Sequence, residues 1–238
     1  MYAFDHKIGF VDAGADGRLR LVNAMSLMMN CCQFQEYQEV NLCNYLRSND
    51  ILIFLYSIQV DIFRLPQFRE TVTTAVKIYG CRSIYGLRRL TMRDESGELC
   101  LIANATGAFF SIREGKALKV DPADLGVQFD EPEEMEVLPR KIPIPRSEEI
   151  TLPDYTVTRS RLDPNGHLTS QEYLAVAEDR LPEDFTFNRF RIEYKQQAKA
   201  GETIHPVLHH SPDMPQTKVI DLRSGNGLSC AVVEFSTR

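Results

Sequence analysis

The sequence predicts an α+β fold in which two similar units each wrap an antiparallel sheet around one long helix. A turn followed by an apolar helical stretch occurs twice, four strand-like segments follow each stretch, and a proline-rich segment lies between the two sets. Two copies of one unit are therefore expected. Their sheets are predicted to pair into one continuous antiparallel sheet, which would make the chain an internal pseudo-dimer.

The first unit is predicted to begin with a short strand through Val11, followed by a turn at residues 14–18. A helix then starts at about Leu21, and apolar side chains all round it indicate that the sheet encloses it. The inner face of this helix is predicted to hold Leu21, Ala24, Met25, Met28, Cys32 and Gln35. Strands are predicted at 52–62, 71–79, 84–93 and 99–110, with a hairpin turn at 94–97.

The second unit repeats this order along the chain. A strand at 155–160, a turn at 163–167 and a helix at 169–181 are followed by strands at 187–194, 203–210, 218–222 and 228–235. Between the units, closely spaced prolines remove amide donors, so this segment is not expected to form a central strand. The predicted organisation is a unit at 1–111, a surface connector at 112–150 and a second unit at 151–238.

The composition indicates a globular protein that binds neither nucleic acid nor membrane. Of 238 residues, 43% are hydrophobic and 25% are charged, and the net charge is -6, whereas general nucleic-acid binding needs an excess of lysine and arginine. The longest apolar run, 51–58, ends before Gln59 and is shorter than the roughly 20 residues of a membrane span. The amino terminus carries Asp5 and no secretory signal pattern, so a cytoplasmic protein is expected.

An acid, an amide and an imidazole occur together in the second turn, as Asp163, Asn165 and His167. Histidine changes charge near neutral pH, so His167 is a candidate general base for a water molecule. Asp163 would hold the ring or the water, and Asn165 would orient the water or donate to a carbonyl. The alternative is structural, because Asp-Pro-Asn-Gly is by itself a strong turn sequence.

The helix that follows this turn supplies a second candidate element. Thr169 and Glu172 have the spacing of a capping box, in which Thr169 caps the helix and Glu172 reaches back to it. The amides of Thr169, Ser170 and Gln171 are the predicted donors to a developing oxyanion, because the helix amino terminus carries partial positive charge.

These residues resemble the acyl-ACP thioesterases of bacteria and plants, which consist of two fused hot-dog domains and release fatty acids from acyl carrier protein. The resemblance covers nearly the whole chain. By it, Asp163, Asn165 and His167 match the family's catalytic Asp, Asn and His. The motifs that carry it are Val11-Asp12, Gly17-Arg18-Leu19, Asp61, Pro66, Phe68, Asp94, Gly97, Leu162 to Leu168, Tyr173 and Ile192-Glu193-Tyr194-Lys195.

The sequence departs from the family pattern at one position of the site. Gln197 stands where the family commonly has a glutamate, and glutamine orients water but does not accept its proton. Alternatives to an acyl-ACP hydrolase are therefore an acyl-CoA thioesterase and a non-catalytic acyl-thioester-binding protein. In the first unit, Gly14, Asp16 and Arg18 replace the acid, amide and imidazole.

The first unit is accordingly expected to shape the acyl pocket rather than to catalyse. Met25, Met28 and Met29 are the predicted pocket residues, with ordinary core packing as the alternative. Arg82, Arg88, Arg89 and Arg93 form a basic cluster. If Leu90 and Met92 face inward, Arg89 and Arg93 face water, and Arg82, Arg89 and Arg93 are the predicted docking residues for the acidic carrier. Solvated strand charges are the alternative.

No cofactor or metal is predicted. His205, His209 and His210 lie on one predicted strand, where at most two side chains share a face. The six cysteines lack Cys-x-x-Cys spacing, so neither a zinc site nor a disulfide framework is expected. The oligomeric state stays open, with a homodimer as one alternative.

Overall fold

A computed structural model describes residues 1–146, 149–210 and 215–238. The chain divides into two compact units, Met1–Val137 and Leu138–Arg238. Residues 112–137 of the predicted connector thus fall in the first unit, and residues 138–150 fall in the second. The predicted boundaries at 111 and 151 stay predictions. Among the described residues, no helix combines the length and apolarity that crossing a bilayer requires.

The first unit contains one antiparallel sheet and two helices. Its strands follow the order β1-β3-β4-β5-β2, and the short β6 pairs with the end of β5. A 3-10 helix at Pro122–Leu125 follows the sheet. The elements are β1 (Tyr2–Lys7), α1 (Leu21–Gln38), α2 (Val40–Ser48), β2 (Ile51–Ile62), β3 (Thr71–Arg82), β4 (Tyr85–Asp94), β5 (Leu99–Ser111) and β6 (Lys116–Ala117).

The sheet of the first unit packs against α1, as the apolar character of that helix predicts. Every residue of the predicted inner face is buried, together with Leu27 and Cys31. Two side chains tie the helix to β3, because Cys31 Sγ lies 3.5 Å from the carbonyl oxygen of Thr74 and Gln35 Nε2 donates to that of Val76 at 3.4 Å. The prediction of an enclosed helix is confirmed for the first half of α1, whereas Phe34 and Tyr37 in its second half are 46% and 64% exposed.

The second unit has the same plan with a shorter helix. Its strands follow the order β9-β12-β11-β10-β7, and β8 pairs with the start of β10. The helix α3 packs against β11 and β12. The elements are β7 (Glu149–Thr151), β8 (Tyr155–Thr156), α3 (Ser170–Glu178), β9 (Arg189–Tyr194), β10 (Thr203–His210), β11 (Thr217–Ser224) and β12 (Ser229–Ser236).

Several predicted boundaries are wrong, and three of them are the following. The strand β1 ends at Lys7 rather than near Val11, because the Asp12 carboxylate accepts a bond from the Gly9 amide and closes a loop there. The predicted strand at 155–160 is reduced to β8 and a 3-10 turn at Arg159–Arg161. The helix α3 ends at Glu178 instead of 181.

The two units repeat the same backbone hydrogen bonds at corresponding positions, which identifies them as tandem copies of one hot-dog unit. Matching bonds occur after the turn, at the start of each unit, at the end of one strand and at the last hairpin. After the turns, the matching bonds are Leu19 N to Pro66 O (2.8 Å) and Leu168 N to Ala198 O (2.8 Å). At the starts of the units they are Ile8 N to Glu70 O (2.8 Å) and Val157 N to Glu202 O (2.9 Å), and at the strand ends Phe63 N to Cys100 O (2.9 Å) and Lys195 N to Cys230 O (2.8 Å). At the last hairpins they are Asp94 N to Glu98 O (3.0 Å) and Ser224 N to Leu228 O (2.9 Å).

Candidate active site

The turn before α3 is organised by the carboxylate of Asp163. Its Oδ1 accepts the backbone amides of Asn165 at 2.9 Å and His167 at 3.0 Å, and the Asp163 amide donates to the His167 carbonyl at 2.7 Å. Gly166 completes the turn at φ +80°, a conformation that glycine adopts without strain. Within the described chain, Asp163 thus contacts backbone amides and not the imidazole, so its visible role is to shape the turn.

Two anchored backbone positions follow His167. Leu168, which follows it, is buried and donates to the Ala198 carbonyl at 2.8 Å, and Thr169 donates to the Arg161 carbonyl at 3.1 Å. The ring nitrogen Nδ1 is buried and has no hydrogen-bond partner in the part of the chain that the structure describes. The residue as a whole is half-buried, which leaves part of the ring accessible from outside.

The predicted capping box at the start of α3 is wrong. The Thr169 side chain makes no capping bond, and the Glu172 carboxylate instead accepts Arg161 Nη1 at 2.9 Å. The Thr169 amide is already bonded to a carbonyl, so it is not a free oxyanion donor. The amides of Ser170 and Gln171 take no acceptor from the described residues and lie in the first turn of the helix.

Two tyrosines that the sequence analysis did not assign a role fix the surroundings of this helix. The Tyr194 hydroxyl donates to the Ser170 carbonyl at 3.0 Å, and the Tyr173 hydroxyl accepts the Ala198 amide at 3.0 Å. Their rings meet edge to face, with centroids 5.7 Å apart. Burial raises the pKa of both phenols, so they stay protonated at neutral pH.

Gln197 lies beside the turn but outside its hydrogen bonds. It is exposed, and it immediately precedes Ala198, whose carbonyl accepts the amide of Leu168. Gln197 and His167 therefore immediately precede the two residues, Ala198 and Leu168, that this backbone hydrogen bond joins. This proximity fits an orienting residue for water.

The corresponding turn in the first unit has the same backbone and different side chains. The Gly14 amide donates to the Arg18 carbonyl at 2.8 Å, Asp16 Oδ1 accepts the Arg18 amide at 3.0 Å, and Gly17 has φ +77°. Arg18 occupies the place of the imidazole, and Gly14 that of the acid. This turn therefore lacks an imidazole, and its carboxylate, Asp16, accepts a backbone amide.

A cavity of about 640 Å³, including its open mouth, lies within the first unit. Met29 lines it, whereas Met25 and Met28 are each 1% exposed, belong to the core and are not among the residues that line this cavity. The pocket role predicted for those two methionines stays a prediction. Other apolar lining residues are Leu42, Ile53, Ile78, Phe109 and Val127.

The prediction that Arg89 faces water is wrong. Leu90 and Met92 do face inward, but Arg89 on the opposite face is only 4% exposed. Arg89 belongs to a row of cross-strand neighbours that has Lys77 at one end and Gln59 at the other. Lys77 pairs with Glu133, and Gln59 donates to the Glu136 carbonyl, so residues 131–136 cover that face. Arg89 is buried there beside Asn104, to which Nη2 donates at 3.3 Å.

The other two predicted docking arginines are accessible. Arg82 is exposed at the end of β3, and Arg93 is half-buried with Nη1 donating to the Gly97 carbonyl at 2.9 Å. Arg88 lies on the inner side and lines the cavity.

The histidines of β10 have separate surroundings. His205 pairs with Asp154 at 2.8 Å, and His209 is buried with Nε2 3.4 Å from Arg223 Nη2. The side chain of His210 lies outside the described residues. Within the described ranges, no three metal-ligating side chains converge.

Sequence comparison identifies the family. The model of the acyl-ACP thioesterase N-terminal domain matches residues 1–120, which is just over half of the 238-residue chain. The chain belongs to the acyl-ACP thioesterase family. This acyl-ACP thioesterase is accordingly a thioester hydrolase that acts on acyl-ACP. Among curated proteins, no sequence matches it significantly.

Solved structures support the fold of this acyl-ACP thioesterase. An acyl-ACP thioesterase from Bacteroides thetaiotaomicron is 15% identical, superposes with a TM-score of 0.87, and the match covers 98% of this chain and 96% of that one. The 12:0-ACP thioesterase from Umbellularia californica is 15% identical with a TM-score of 0.80, and the match covers 100% and 96%. The prediction of two tandem hot-dog repeats is confirmed.

Proposed function

We propose that this acyl-ACP thioesterase uses His167 as the general base that activates water. The observation that carries the proposal is the position of His167, two residues before the anchored Thr169, which the two acceptor-free amides of α3 follow. A carbonyl bound at these amides would present its carbon to a water held by the imidazole. No covalent nucleophile is required.

Hydrolysis then proceeds through an oxyanion. His167 takes a proton from water as the oxygen attacks the thioester carbon, and the amides of Ser170 and Gln171 stabilise the oxyanion together with the helix dipole. The C–S bond breaks, the protonated imidazole returns its proton to the carrier thiolate, and a free fatty acid leaves. Asn165 and Gln197, both exposed beside the turn, orient the water, and Asp163 holds the turn in shape.

The cavity of the first unit is the proposed site of the acyl chain. Its lining is apolar along β2 and β5, which suits a hydrocarbon chain. Met29 is the predicted pocket residue that lies on this lining. Arg82 and Arg93 are the remaining candidates for docking the acidic carrier.

Substitution of His167 tests the mechanism directly. His167→Ala should lower the rate of thiol release from acyl-ACP by about 100- to 10,000-fold, the usual contribution of a general base. His205→Ala is the matched control, because His205 lies in the same unit and pairs with Asp154 at the surface. Thermal melting should show both variants folded. Undiminished turnover by His167→Ala would remove the mechanism.

The carrier and the replacement at Gln197 need a second measurement. One acyl chain presented on carrier protein and on CoA should be released faster from the carrier protein. Gln197→Glu should leave turnover unchanged or increase it, because a carboxylate can accept the proton of water. Tight binding of acyl-ACP without thiol release, and no gain from Gln197→Glu, would instead identify a binding protein.

The cellular setting is also proposed. An acidic protein with an acyl-ACP substrate is expected in the cytoplasm, without nucleic-acid or membrane partners, and a homodimer is the simplest oligomer. Fractionation and light scattering test these two points. Recovery with membranes, or a monomeric mass, would contradict them.

A further inference from the structure

An ion pair lies in the wall of the mainly apolar cavity of the first unit. Arg88 on β4 and Glu36 on α1 both line the cavity, and Arg88 Nη2 donates to Glu36 Oε2 at 3.2 Å. Their side chains are only 12% and 21% exposed. Arg88 Nη1 also approaches the carbonyl oxygen of Cys32 at 3.5 Å. The pair is therefore mostly shielded from water.

This position is an unfavourable one for charge unless the charges have a further use. Side chains alternate between the faces of a strand, and the next inward residues of β4, Leu90 and Met92, are both 0% exposed. Withdrawing two ions from water commonly costs as much as their attraction returns, so an apolar pair of similar volume would stabilise the fold at least equally. The ion pair is consequently better explained by a ligand than by stability.

The pair has unused hydrogen-bonding capacity toward the cavity. A guanidinium carries five N–H donors, and the contacts with Glu36 and Cys32 engage two of them. The Glu36 carboxylate can accept further bonds. A ligand group that both accepts from Arg88 and donates to Glu36 would satisfy both partners, and a hydroxyl has this property.

We propose that the Glu36–Arg88 pair binds a hydroxyl group on the acyl chain, so that the enzyme prefers hydroxyacyl chains to unsubstituted chains of the same length. This inference rests on the proposed function, in which the cavity holds the acyl chain. An oxo group accepts from Arg88 but donates nothing to Glu36, so oxoacyl chains rank between the two. An unsubstituted chain gains no hydrogen bond from the pair.

The kinetic test compares dodecanoyl-ACP with a series of hydroxydodecanoyl-ACP positional isomers and with an oxododecanoyl-ACP. The wild type should prefer at least one hydroxy isomer by about tenfold in kcat/KM, which matches one hydrogen bond to a charged group. The double variant Glu36→Leu/Arg88→Met should lose this preference and release dodecanoate at least as fast as the wild type. Arg113→Met, at an exposed arginine of the first unit that pairs with Asp50, should keep the preference.

A binding measurement separates this inference from the proposed function. Calorimetry with free hydroxydodecanoic and dodecanoic acids needs no catalysis, and the wild type should bind one hydroxy acid about tenfold more tightly. If the double variant does not fold, Glu36→Gln takes its place, because it keeps the side-chain volume. This variant should weaken the binding of the hydroxy acid. A binding preference without hydrolysis would overturn the proposed function alone. The inference would be overturned if the wild type bound and hydrolysed hydroxy and unsubstituted chains equally well. It would also be overturned if the variants kept the wild-type preference.

Discussion

Asp163 provides the sharpest test of how the turn before α3 works. Its Oδ1 accepts two backbone amides, at 2.9 and 3.0 Å, and no contact with the imidazole occurs in the described structure. The amide oxygen of asparagine can accept the same two bonds, whereas alanine can accept neither. Asp163→Asn and Asp163→Ala therefore separate turn formation from the negative charge.

The expected magnitudes follow from those two bonds. A hydrogen bond to a charged group contributes about 1.5–3 kcal/mol when buried, and Asp163 is half-buried, so Asp163→Ala should lower the free energy of unfolding by about 2 kcal/mol. For a chain of this length the melting temperature should fall by about 4–8 °C. Displacement of the imidazole should lower turnover by about 10- to 100-fold. Asp163→Asn should keep turnover within about threefold of the wild type, since it retains both acceptors.

Thermal melting and thiol release from acyl-ACP measure the two effects. Asp16→Ala is the matched control, because Asp16 accepts one amide in the first turn, where no catalytic role is proposed. That variant should melt slightly earlier and keep full turnover. If Asp163→Asn lost as much activity as Asp163→Ala without a change in melting temperature, the carboxylate charge would act in catalysis and the turn argument would be refuted.

Three further predictions concern the same unit. Gly166→Ala places a Cβ on a residue at φ +80° and should lower the free energy of unfolding, measured by urea titration, by about 1–2 kcal/mol. Gly225→Ala is the control, because Gly225 has open space around it and no positive φ, and it should leave this free energy almost unchanged. Tyr173→Phe removes the acceptor of the Ala198 amide and should lower both that free energy, by about 1–3 kcal/mol, and turnover; full activity would contradict its positioning role. Burial raises the pKa of Glu178 from 4.5 to about 7. Because folding favours the protonated form, stability should fall by up to about 3 kcal/mol as pH rises through this window, and melting of Glu178→Gln should show no such fall.

The sequence predicted the elements whose signals are local. The apolar surface of α1 and the long strands β2 to β5 are visible in the hydrophobic pattern, and the structure confirms them. The helix α2 was missed, because its nine residues are a short window for recognising a helical pattern, although Leu42 and Leu46 lie four residues apart on its buried face. Whether a segment forms a helix or a strand depends largely on residues close to it along the chain, and a single sequence shows these residues.

The failed predictions depend on residues distant in sequence. Glu172 does not cap its own helix, because Arg161, eleven residues earlier, takes its carboxylate. Alternation along β4 correctly placed Arg89 on the outer face, but the pattern does not reveal that residues 131–136 cover that face. The cavity was likewise beyond prediction, since its shape depends on how residues from seven elements pack.

Two turns with one backbone and different side chains separate folding requirements from chemical ones. The first turn keeps its glycine and its amide bonds although it holds no imidazole, so folding of the unit is sufficient reason for that geometry. A duplicated ancestor could thus assign the reaction to one copy by exchanging a few side chains while the scaffold of both copies stayed intact. The first copy, with the same backbone and no imidazole, becomes a natural recipient for transplanted catalytic groups.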